Sequence, residues 1–119
     1  MMNLEELKQN REIVGKIDWE MTPEEAVRLY LEWGNNWAGG NYVIRSKEDV
    51  SYYFVVYAWD KPPVIYLIRR NSEEALELAR IVLPGWLKDI FLAETSGNNG
   101  VYPIRGRVRQ WLESELAAG

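Results

Sequence analysis

Ser51-Tyr52-Tyr53-Phe54-Val55-Val56-Tyr57-Ala58-Trp59 is the run on which the fold turns. Every residue after Ser51 is aromatic, β-branched or alanine, the composition of a strand. Extended backbone sends successive side chains to opposite faces, so Tyr53, Val55, Tyr57 and Trp59 point one way and Tyr52, Phe54, Val56 and Ala58 the other. Both faces are apolar. That pattern specifies a central strand covered on both sides, or covered on one side and presenting an aromatic platform on the other. Asp60-Lys61-Pro62-Pro63 follows with turn chemistry, and Val64 to Arg70 reads as a second strand, so the two runs form a hairpin. Upstream, Tyr42-Val43-Ile44-Arg45 reads as a third strand, completing a three-stranded antiparallel meander.

Helical patterns flank this sheet. Leu4, Leu7, Ile13 and Val14 recur among charged residues as one amphipathic helix that Gly15 ends. Thr22-Pro23-Glu24-Glu25 is a helix start, with Thr22 as cap, Pro23 in the first position and Glu25 closing a capping box. Ala26, Tyr30, Trp33 and Trp37 then fall on one stripe, with Gly39-Gly40 as the stop. After the sheet, Ser72-Glu73-Glu74 reads as another helix start, continued by Ala75, Leu76, Ala79 and Val82 or Leu83 until Pro84-Gly85 interrupts it. Trp86, Leu87, Ile90 and Phe91 resume helical spacing, and Pro103 opens a last helix with Ile104, Val108, Trp111, Leu112 and Leu116 on its buried face. The expected class is α+β: two N-terminal helices, the meander, then two to three C-terminal helices packed on the sheet. Residues 1–119 read as one domain, since 119 residues that are 47% apolar suit a single core and no repeat or linker interrupts them.

Composition excludes more than it assigns. Neither histidine nor cysteine occurs, which removes Ser-His-Asp and Cys-His catalysis, disulfides and the common zinc and iron-sulfur ligand sets. No catalytic residues, cofactor or metal are therefore expected. The 14 basic and 18 acidic residues give a net charge of -4, and the first 32 residues carry eight acids against four bases. Nucleic acid and anionic lipid both need clustered cations, so neither is an expected partner. Met1 to Leu7 is acidic and amphipathic where a secretory signal is basic and then apolar, and no apolar run approaches the roughly 20 residues of a membrane span. The expected location is the cytoplasm.

Two Gly-Asn-Asn segments are the candidate contact loops. In Trp33-Gly34-Asn35-Asn36-Trp37 the amides of Asn35 and Asn36 offer paired donors and acceptors, with Trp33 and Trp37 as aromatic support. Helical spacing equally assigns both indoles to the core and leaves the amides to solvent. Gly97-Asn98-Asn99-Gly100 tolerates positive φ throughout, so Asn98 and Asn99 belong to a recognition loop or to a plain connection. Arg105 and Arg107 stand near the start of the last helix, where backbone N–H groups welcome an anion, but a surface network equally accounts for them, with Arg109 paired to Glu113 one turn on and Arg105 meeting solvent or surface acids. No phosphate loop or calcium-loop spacing occurs.

On Met21-Thr22-Pro23-Glu24-Glu25-Ala26, Leu31-Glu32-Trp33-Gly34-Asn35-Asn36-Trp37, Tyr53-Phe54-Val55-Val56 and Pro62-Pro63-Val64, the chain resembles a small family of uncharacterised bacterial proteins associated with anaerobic sulfate-reducing bacteria. The resemblance spans most of the chain. It implies a short single-domain protein and brings no activity, cofactor or catalytic residue with it.

The expected function is non-catalytic protein–protein contact, with self-association as a homodimer one form of it. Six tryptophans and seven tyrosines supply the residue types that anchor interfaces. The alternative is a small-ligand-binding or enzymatic domain whose pocket is lined by Trp33, Trp37, Asn35, Asn36 and the arginines of the last helix.

Overall fold

The computed structural model describes residues 1–20, 23, 50–58, 60, 62–70, 75–96 and 100–117. Among them the chain runs α1 (Leu4–Gln9), α2 (Arg11–Val14), β1 (Ser51–Tyr57), β2 (Val64–Arg70), β3 (Ala75–Val82), α3 (Gly85–Glu94), β4 (Val101–Pro103) and α4 (Gly106–Ala117). The class is α+β. The sheet is antiparallel and four-stranded, in the order β3-β2-β1-β4.

β1 and β2 form the expected hairpin, in register from Tyr57 opposite Val64 to Ser51 opposite Arg70. β1 is central and its two faces are both buried. Phe54 and Val56 enter the larger core with Ile65, Leu67, Leu87, Ile104 and Leu112. Tyr53, Val55 and Tyr57 form a second cluster with Ile68 and Ala75 on the opposite face. Covering a side chain of this size contributes about 1.5–3 kcal/mol, which is why a strand apolar on both faces takes the middle of a sheet. Tyr53 and Tyr57 are buried, so no aromatic platform faces solvent there.

Several expectations are corrected. Ala75 to Val82 is strand β3, not helix, paired along β2 from Arg70 opposite Ala75 to Val64 opposite Val82. Its register slips once: Leu67 faces Ala79 while Ile68 faces Glu77, so Leu78 is an extra residue in a bulge. The bulge reverses the alternation, placing Ala75 in the second cluster but Ala79 and Ile81 in the first. Pro103 does not open the last helix. It ends β4, the outermost strand on that side among the described residues, where its missing N–H costs no ladder bond to β1, and α4 begins at Gly106. The sheet consequently has two strands, β3 and β4, that the expected meander lacked.

The expected first helix is two. Asn10 stops α1, and its side chain accepts from the Ile13 N–H at 3.2 Å to cap α2. Asn3 and Glu6 close a capping box at the start of α1, and Leu7 is fully buried beneath it. Apart from Pro23, the expected helix from Thr22 to Trp37 and the expected strand Tyr42 to Arg45 lie outside the described residues. No helix among the described residues is long and apolar enough to cross a membrane.

Candidate functional site

Among the described residues, two places on the surface stand out, and both lie at the margins of the sheet. The first is a cavity of about 220 Å³ enclosed by the end of α3, by β4 and by the start of α4. Its apolar wall is Phe91 and Tyr102, whose rings meet edge to face at 5.6 Å, together with Pro103 and Val108. Thr95 closes the end of α3, its hydroxyl donating to the Phe91 carbonyl at 3.0 Å, so the hydroxyl oxygen retains acceptor capacity. Glu94 and Arg105 add one negative and one positive residue to the lining.

Gly106 allows these parts to meet. Its φ of +61° is left-handed, and a β-carbon on it would stand 2.9 Å from Glu94 Oε2. A side chain at this position meets unfavourable backbone geometry and the acidic group together. The carboxylate thus rests against the first residue of α4, the helix start that sequence reasoning offered to an external anion as one of two readings.

The arginines of the last helix do separate work. Arg105 lines the cavity, while Arg107 is exposed and does not line it. Arg109 is a structural tie: Nε donates to Glu113 at 2.8 Å, Nη2 to Glu20 at 3.0 Å and Nη1 to the Trp19 carbonyl at 3.2 Å. Hydrogen bonds to Glu20 and then Glu113 raise the guanidinium above its ordinary pKa. The expected Arg109–Glu113 pair is present, joined by a long-range partner that sequence spacing did not indicate. Asn35, Asn36, Trp33, Trp37, Asn98 and Asn99 lie outside the described residues. Glu94, Thr95 and Tyr102 were not candidates on sequence grounds, since only the turn into Gly106 brings them beside Arg105.

The second place is the outer edge of the sheet. Met2 adds a short parallel bridge to β3, donating to the Leu78 carbonyl and accepting from Arg80 N–H, both at 2.9 Å. The Arg80 N–H therefore points away from β2, and strand alternation turns the N–H and C=O of Val82 outward as well. Val82 and Leu76 are exposed on β3, and Trp86, on the first turn of α3 beyond Pro84, is 56% exposed. Inboard of this edge, Glu77 stands opposite Ile68, and burial raises its carboxyl above the ordinary glutamate value, with the negative charge of Asp60 adding to the shift.

Among the described residues no group of acidic side chains is gathered as a metal site would require. Comparison of the chain with protein-family models, with curated proteins and with solved structures finds no match in any of the three.

Proposed function

We propose that this chain is a non-catalytic interaction domain that self-associates through the outer edge of β3, with Val82 and Trp86 at the centre of the contact. The observation that carries the reading is the exposure of Val82 on β3, the outermost strand among the described residues, with the exposed indole of Trp86 four residues further along the chain. Among the described residues, large apolar side chains elsewhere in the sheet are mostly buried and no strand pairs with the outer side of Val82, and an unpaired edge is a template for another strand. Tryptophan is also among the residue types enriched at interface hot spots.

A second copy is the partner that this edge fits best. Antiparallel pairing about a twofold axis through Val82 makes the residue its own partner, each copy donating its N–H to the other's carbonyl. The contact is short, because Met2 already occupies Leu78 and Arg80 on one side and Pro84 supplies no N–H on the other. Trp86 then contributes the buried area that so short a ladder lacks.

Sedimentation equilibrium tests the reading. The wild-type mass is expected to rise with concentration from 13.9 kDa towards twice that value. Val82→Lys and Trp86→Ser are expected to hold the mass at the monomer value while leaving the circular dichroism unchanged. A wild type that stays monomeric, or variants that associate as the wild type does, would remove the basis for the reading.

A further inference from the structure

We infer that the cavity between α3, β4 and α4 binds a small zwitterion of the α-amino-acid class with an apolar side chain. This site is separate from the β3 edge and does not depend on the self-association reading. Its volume of about 220 Å³ lies below the roughly 300 Å³ at which drug-sized pockets begin, which suits a small molecule better than a whole nucleotide. The lining divides by chemistry in a way that matches one kind of molecule. Phe91, Tyr102 and Val108 give an apolar and aromatic wall for a side chain.

Opposite charges stand on the same lining. Glu94 and Arg105 form no ion pair with each other or with any other described residue, whereas Lys8, Lys16 and Arg109 are each held by carboxylates. Glu94 supplies a counter-charge for an ammonium group, and the Thr95 hydroxyl oxygen, its proton already committed to the Phe91 carbonyl, adds an acceptor. Aromatic faces beside a carboxylate further favour an ammonium. Arg105 supplies the matching cation for a carboxylate. One charge of each sign selects a zwitterion over a phosphate, which calls for several donors of one sign.

The test is a ¹H–¹⁵N NMR titration of the intact chain with L-valine, L-leucine and L-methionine separately. Saturable shifts are expected at Thr95, Tyr102 and Arg105 to Val108 with at least one of the three. N-acetyl-L-leucine, which lacks the ammonium, and L-leucinamide, which lacks the carboxylate, are expected to bind at least tenfold more weakly than L-leucine. Glu94→Gln, at an exposed position that leaves the core intact, is expected to weaken the amino acids by a similar factor and to abolish discrimination against the acetylated form. Glu12→Gln, remote from the cavity, is expected to change nothing. The inference is overturned by an absence of shifts with all three amino acids, by shifts confined to other surfaces, or by derivatives that bind as tightly as the parent.

Discussion

Replacing Gly106 by alanine probes the junction on which the cavity depends, and its cost can be built from two contributions. The first is backbone: φ is +61°, and holding an L-residue in the left-handed region costs roughly 1–2 kcal/mol. The second is steric, since the new β-carbon would stand 2.9 Å from Glu94 Oε2. That oxygen ends a flexible, exposed side chain that can swing to another staggered rotamer, so it adds less than the roughly 0.5 kcal/mol at which off-rotamer strain begins. Alanine also narrows the unfolded ensemble, but that gain of about 0.4–1 kcal/mol appears only where the native φ suits the new residue. The expected loss is thus about 1–2 kcal/mol, measured as a lower urea midpoint at unchanged slope. Gly106→Asn is expected to lose less, because asparagine tolerates the left-handed region. Combining Gly106→Ala with Glu94→Ala is expected to recover only the small steric part. A Gly106→Ala protein as stable as the wild type, or one fully rescued by Glu94→Ala, would refute the backbone argument.

Other consequences concern the core, the arginine tie and pH. Leu7→Ala is expected to cost about 2–5 kcal/mol in urea denaturation, since Leu7 is fully buried where α1 meets the main core, whereas exposed Leu76→Ala stays within about 0.5 kcal/mol. Arg109→Ala is expected to cost on the order of 1 kcal/mol, because the part-buried Trp19 carbonyl loses its donor; an unchanged midpoint would show that water replaces it freely. Glu77 has a folded-state pKa above its unfolded value, so the folded protein binds its proton more tightly and stability falls as pH rises from the ordinary glutamate value of 4.5 through the raised one. Glu77→Gln is therefore expected to stabilise at pH 7 and to lose that advantage at pH 4. A gain that is the same at both pH values would contradict it.

The central hairpin was legible because its signal is redundant: a run apolar on both faces, a Pro-Pro turn and a second β-branched run all indicate the same structure. β3 was not legible, for two reasons that compound. Ala75-Leu76-Glu77-Leu78-Ala79-Arg80 is made of helix formers, and here pairing to β2 outweighs that weak preference. The bulge at Leu78 also moves buried positions from one face to the other, so Ala75 and Ala79 are both inside at a spacing of four and imitate a helical stripe. β4 was hidden by brevity, and Pro103 read as a helix opener because proline suits either a first helical turn or an edge strand. In the candidate site, Arg105 was visible as a cation near a helix start. Its companions Glu94, Thr95 and Tyr102 were not, because a left-handed glycine brings them together and no motif records that.

Hydrogen exchange at the Val82 amide tests the proposed contact most directly. The Arg80 N–H is already bonded to Met2, and Ile81 N–H turns inward to β2, whereas Val82 N–H faces out. Raising the protein concentration is expected to slow exchange at Val82 by a larger factor than at Arg80 or Ile81. Exchange at Val82 that is independent of concentration, or that changes only in step with its two neighbours, would contradict self-association through this edge.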